Sequence, residues 1–104
     1  MIVATSEQIE GKNITKTIGL VKGSTIRARH LGRDIMAGLR GMVGGEVTDY
    51  TKMMAQSREE ALNRMIEDAE KKGANAVVSM RFATSMVMQN ASEVVAYGTA
   101  VVLE

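Results

Sequence analysis

Arg58-Glu59-Glu60-Ala61-Leu62-Asn63-Arg64-Met65-Ile66-Glu67-Asp68-Ala69-Glu70-Lys71-Lys72-Gly73-Ala74-Asn75-Ala76 is the stretch whose reading decides the fold. Ala61, Leu62, Met65, Ile66 and Ala69 recur at spacings of three and four, the period of a helix with one apolar face. Upstream, Tyr50 and Met54 continue that stripe, so the helix is expected from about Glu46 or Thr48 to Lys72. Glu60 to Arg64, Glu67 to Lys71 and Asp68 to Lys72 are i,i+4 pairs in the favourable order, each adding about 0.2–0.5 kcal/mol. Lys71 and Lys72 suit the negative end of the helix dipole. Gly73 is the expected terminator, because a residue in the left-handed region is cheapest without a Cβ.

Downstream, the period changes from 3.6 to 2. Val77-Val78-Ser79-Met80-Arg81-Phe82 reads as a strand that continues to Met86, with Val78, Met80, Phe82, Thr84 and Met86 expected on one face. Val77, Ser79, Arg81 and Ala83 fall on the other. A turn is expected around Gln89-Asn90-Ala91-Ser92. The final strand, Glu93 to Leu103, is apolar on both faces: Val95, Tyr97, Val101 and Leu103 on one, Val94, Ala96, Ala100 and Val102 on the other. Burial on both faces requires a second covering layer, from this chain or from another subunit.

Upstream, Ile14 to Val21 is rich in β-branched residues between Gly11-Lys12-Asn13 and Gly23-Ser24, and reads as another strand. Met1 to Thr5 lacks the basic and apolar regions of a secretion signal and is read as the first strand. Leu31 to Val43 carries Ile35, Leu39, Met42 and Val43 at helical spacing and is expected to form a short helix ended by Gly44-Gly45. The fold class is therefore α+β: a small antiparallel sheet with one long helix and a short extra one, in a single domain spanning 1–104.

Composition narrows the function. The 104 residues hold no Cys, no Trp, no Pro, nine Met, two Tyr and one Phe. Without Cys there are no disulfides or thiolate nucleophiles, and the usual soft metal ligands are missing. The core must be aliphatic and rich in Met. No apolar run reaches the length of a membrane span, and a cytoplasmic address is expected. Nucleic-acid stacking platforms need exposed aromatics, and Tyr50, Phe82 and Tyr97 fall at core positions, so no nucleic-acid partner is expected.

The net charge is only +1, yet Lys12, Lys16, Lys22, Arg27, Arg29, Arg33 and Arg40 face a lone acid, Asp34, between Lys12 and Arg40. Such asymmetry suits a polyanion surface or complementary faces of neighbouring subunits. Within it, Arg33 and Arg40 stand seven apart on one helical face, and Asp34 is placed to orient one of them. Two planar guanidinium forks can hold a carboxylate or phosphate, or an ion-pair network at an interface. His30 lies among Arg27, Arg29 and Arg33, and a cationic neighbourhood lowers the pKa of an imidazole. It has no second His or Cys to complete a metal site. Arg29, His30, Arg33, Asp34 and Arg40 are thus the candidate ligand-binding residues. Met86-Val87-Met88 with Met80 offer thioethers to a soft ion, but their common face is what a Met-filled core looks like. Glu59-Glu60 and Glu67-Asp68-Glu70 sit beside basic partners and mark a solvated face. No catalytic residue, metal ligand or cofactor is expected from these residues.

Arg33-Asp34-Ile35-Met36-Ala37-Gly38-Leu39-Arg40, Val43-Gly44-Gly45, Arg58-Glu59-Glu60-Ala61-Leu62, Gly73-Ala74-Asn75-Ala76-Val77-Val78 and Gly98-Thr99-Ala100-Val101 together resemble the YbjQ family of small bacterial and archaeal proteins. The resemblance implies a dodecin-like subunit: a strand, a long helix and two more antiparallel strands, the first strand beside the last. It also implies self-assembly into a ring, a pentamer, and carries a heavy-metal-binding label but no activity. His30 and Gly41 depart from the pattern, which has Asn and Asp there. The functional expectation is a non-catalytic, homo-oligomeric binding or scaffolding module with a small-anion site between subunits. Its alternative is a heavy-metal-binding or metal-storage protein.

Overall fold

The computed structural model describes residues 1–28, 46–88 and 91–104. Among these, the elements are β1 (Ile2–Val3), β2 (Ile14–Ala28), α1 (Glu46–Lys71), β3 (Ala76–Met88) and β4 (Ala91–Leu103). The sheet order is β1-β3-β4-β2. β4 runs antiparallel to both neighbours, and β1 is parallel to β3. The class is α+β as expected, and β2 does lie beside the last strand. The sheet is mixed rather than purely antiparallel, because the chain enters alongside the strand that follows the helix.

The helix ends as its sequence dictates. Gly73 adopts φ 86°, its N–H donates to the Glu70 carbonyl at 3.0 Å, and the Ala74 N–H donates to the Ala69 carbonyl at 3.0 Å. This pair of bonds is the Schellman arrangement, which satisfies the last carbonyls and turns the chain into β3. Asn75 then locks the junction. Its Nδ2 donates to the Leu103 carbonyl at 3.0 Å, and its Oδ1 accepts from the Leu103 N–H at 2.7 Å.

Ala61, Met65 and Ala69 are fully buried, with Met54, Leu62 and Ile66 packed around them. Ser57 completes the row and is equally buried, a position that apolar periodicity misses. Its hydroxyl donates back to the Met53 carbonyl at 3.1 Å, and the Thr25 hydroxyl donates to the Ser57 carbonyl at 3.1 Å. Among the described residues no buried side-chain polar atom lacks a partner.

β2 is longer than expected and runs straight through Gly23-Ser24. Gly23 does not end the strand. It is buried where α1 crosses, and a Cβ there would collide with the Ala61 carbonyl oxygen and the Met65 backbone nitrogen. The glycine is needed for space: helix and strand backbones meet directly.

The alternation on β3 breaks at Ser79. Val78 faces Thr99 and Arg81 faces Tyr97, so one extra residue is accommodated in β3. Ser79 takes φ 54°, and its N–H, with that of Met80, turns away to the Ser6 and Ala4 carbonyls at 2.9 and 3.0 Å. Opposite the bulge stands Gly98, where a Cβ would press on Val77 Cγ1 at 2.6 Å. A bulge resets which side chains share a face. Val77 therefore joins Met80 and Ala100 under the helix, whereas Val78 joins Ala76, Val101 and Leu103 on the opposite face. The expected grouping of Val78 with Met80 is corrected, as is that of Val77 with Arg81.

The second layer that β4 demanded comes partly from this chain. Ile9 covers the patch of Ala76, Val78, Val101 and Leu103. Asn13 and Glu104 exchange N–H to carbonyl bonds of 2.9 Å and close the end of the β2–β4 ladder. This cover stops near Arg81. The short helix expected over Leu31–Val43, with Gly44-Gly45, and the turn residues Gln89 and Asn90 lie outside the described residues.

Candidate functional site

Beyond the Ser79 bulge, the three long strands continue as a projecting arm, and the described residues span 55 Å along their longest axis. Cross-strand register sets the surface of this arm. Lys22, Tyr97 and Arg81 form one row, Gly23, Ala96 and Phe82 the next, then Ser24, Val95 and Ala83, then Thr25, Val94 and Thr84. Successive rows alternate between the face away from the helix and the face beneath it.

Beneath the helix the cover is uneven. α1 lies over β2 and β4 and barely reaches β3. In the Gly23, Ala96 and Phe82 row, Gly23 and Ala96 are buried while Phe82 is 44% exposed. Met86, four rows further on and on the same face, is 75% exposed. Periodicity placed both in a Met-filled core. That expectation fails for Phe82 and Met86, because helix width is about 10 Å and strands lie about 4.8 Å apart, so one helix cannot shield three strands equally. Met80 is buried as expected.

On the opposite face, Tyr97 lies between Lys22 and Arg81 and is 38% exposed, so its core placement is corrected too. Arg81 is oriented by its Nη1, which donates to the Thr5 carbonyl at 3.0 Å and to the Met80 carbonyl at 2.7 Å. A phenol between two cations can meet an anion that carries an apolar body. Sequence reading missed this trio because its members are far apart in the chain; only strand register brings them side by side. Leu20 and Ile26, at 64% and 61% exposed, extend the apolar part of this face along β2.

The two sheet edges differ. Along β2, helix side chains cap the outward backbone groups. Asp68 accepts from the Lys22 N–H at 3.3 Å, Arg64 donates to the Ser24 carbonyl, and Lys72 reaches the Leu20 carbonyl at 3.5 Å. Asp68 also pairs with Lys72 at 3.4 Å, the expected i,i+4 contact. Along β3, backbone bonds from residues 1–6 stop at Met80. From Phe82 to Met88, no described strand pairs with the outer edge of β3.

The candidate ligand residues Arg29, His30, Arg33, Asp34 and Arg40 all lie outside the described residues. Met80 is buried under α1, and Met86 is exposed six residues along the same strand, on the order of 20 Å away at 3.3 Å per residue. These thioethers do not converge. Among the described residues no group of three or more His, Asp or Glu side chains is arranged to hold an ion. The described donor set does not fit a heavy-metal centre, and no helix among the described residues is long and apolar enough to cross a membrane.

A helix laid on one face of a four-stranded mixed sheet defines a small α+β protein. The chain belongs to the YbjQ family, described as "Putative heavy-metal-binding", and matches that family over residues 1–104. It is 64% identical over 101 residues to a "UPF0145 protein" of Methanosarcina acetivorans, covering 97% of this chain and 95% of the relative. A "UPF0145 protein" of Dehalococcoides mccartyi strain BAV1 is 60% identical over 104 residues, the full length of both. Among solved structures, a protein of unknown function of the DUF74 family from Pediococcus pentosaceus superposes with a TM-score of 0.66 at 17% identity. It covers 100% of this chain and 98% of its own, which supports the fold alone.

Proposed function

We propose that this protein is a non-catalytic, homo-oligomeric binding or scaffolding module of the cytoplasm, assembled as a ring, with a small-anion site where subunits meet. The observation that carries the reading is the apolar surface of the sheet, where Leu20, Ile26, Phe82 and Met86 are exposed among the described residues. Exposed apolar surface of this kind marks interaction sites. The anion site is carried by the Arg29, His30, Arg33, Asp34 and Arg40 segment, whose guanidinium forks suit carboxylate or phosphate. The Lys22, Tyr97 and Arg81 row supplies further cationic surface on the sheet.

Native mass spectrometry of gently purified protein tests the reading. An assembly of several copies with a reproducible anionic mass is the expected result. A monomer at micromolar concentration overturns it. A reproducible metal mass would instead favour metal storage, the use that the family description suggests. Equilibrium dialysis against Cu(I), Zn(II) and Ni(II) separates that alternative, which sub-stoichiometric uptake of all three would end.

A further inference from the structure

We propose that Lys22, Tyr97 and Arg81 form a binding site for a small aromatic oxyanion. The Arg81 fork takes its carboxylate or phosphate, its ring lies along Tyr97, and Lys22 closes the far side with positive charge. The site lies within one chain, so it goes beyond the reading above and does not depend on assembly.

The row exists because of the Ser79 bulge. Val78 stands opposite Thr99, and that register, continued without interruption, would set Met80 opposite Tyr97. The extra residue sets Arg81 there instead. Ser79 takes φ 54° to make this step, a conformation that costs a non-glycine residue free energy. Bulges re-aim side chains. This one exchanges a thioether for a guanidinium beside the phenol, and buries Met80 under the helix. On the other side of Tyr97, β2 places Lys22 directly opposite. Three polar side chains from three strands thus stand in line, with about 4.8 Å between neighbouring strands.

The guanidinium is held before any ligand arrives. Its Nη1 donates to the Thr5 and Met80 carbonyls at 3.0 and 2.7 Å. Residues 1–6 are themselves tied to β3, since the Ser79 and Met80 N–H groups donate to the Ser6 and Ala4 carbonyls. The donors on Nε and Nη2 have no partner among the described residues, and that edge of the fork matches a carboxylate or phosphate in bidentate fashion. A cation fixed in advance loses less entropy on binding. Tyr97 adds a flat face for offset stacking, and a cation such as Lys22 is attracted to aromatic rings beside it. The flanking rows on this face, Leu20 with Thr99 and Val78, and Ser24 with Val95 and Ala83, hold no acid to compete. An inorganic anion would use the cations and leave Tyr97 idle, so the row selects an anion that carries a ring.

Isothermal titration of the full chain with naphthoate, naphthyl phosphate and inorganic phosphate tests the site. The better aryl probe is expected to bind at least about tenfold tighter than inorganic phosphate, because a stacked ring adds affinity of that order. Whichever aryl probe binds tighter names the acid group. Arg81→Gln should weaken all three probes by about tenfold or more. Tyr97→Leu should weaken the aryl probes and leave inorganic phosphate unchanged. Lys16→Gln removes the same charge elsewhere on β2 and should change nothing. Circular dichroism checks folding, and Lys22→Gln reads the cationic side if Arg81→Gln does not fold. No binding of either aryl probe at millimolar concentration overturns the site. So does inorganic phosphate that binds as tightly as they do, or a loss on Lys16→Gln equal to that on Lys22→Gln. Aryl binding that survives both Arg81→Gln and Tyr97→Leu overturns this row and leaves the anion site of Arg33 and Arg40 standing. A monomer that binds the aryl probes through this row overturns the homo-oligomeric reading and supports the site.

Discussion

β3 passes through two environments that differ in what lies beside them. Before the Ser79 bulge, Ala76, Val77 and Val78 are covered by α1 on one face, by Ile9 on the other and by β1 along the edge. After it, Phe82 to Met86 are exposed, although this half contains the chain's single Phe. Both halves carry large apolar side chains, Val77 and Val78 in the first and Phe82 and Met86 in the second; their cover among the described residues differs. Apolar residues in a strand announce that something will cover them, without saying whether the cover is in the same chain. The contrast also runs across the sheet: in the row of Gly23, Ala96 and Phe82, the helix touches the first directly and misses the last.

Three substitutions would break or sharpen this contrast. Met80→Ala removes a side chain that is 7% exposed beneath α1, and should cost about 2–5 kcal/mol in urea unfolding. A loss below about 1 kcal/mol would mean that the covered half is not packed as described. Gly23→Ala forces a methyl group against the Ala61 and Met65 backbone and should cost about 1–3 kcal/mol, seen as an earlier thermal transition. Neutral behaviour there would show that the helix does not rest on β2 at this row. Phe82→Ala should cost less than about 1 kcal/mol in dilute solution, because the ring is already partly in water. Its cost should grow with protein concentration if a second copy covers the ring, since stability is then linked to assembly. An effect as large as that of Met80→Ala at every dilution would place the cover within the chain itself.

Much of the architecture was legible because local rules and packing agreed. The Ala61, Met65 and Ala69 stripe, the Gly73 stop and the β4 pattern each have one inexpensive conformation. Ser57 was hidden because its hydroxyl is satisfied within its own helix, which lets a polar residue sit in an apolar row. Gly23 read as a boundary because a glycine that ends a strand and one that admits a helix look alike in sequence. The Lys22, Tyr97 and Arg81 row was illegible for a different reason: register across β2, β4 and β3 is a property of the assembled sheet. Of the candidate anion site, the sequence shows the guanidinium chemistry of Arg33 and Arg40 and the placement of Asp34 between them, but not what they face.

By itself, then, the sequence determined the α+β class, the long helix with its terminator, the doubly apolar last strand and the family. These follow from side-chain periodicity and from the cost of φ at Gly73, which are local quantities. Tertiary structure alone decided the face on which each β3 residue lies, because one extra residue at Ser79 reverses the alternation. It also decided which apolar positions stay in water, because cover depends on the width of one helix laid across three strands.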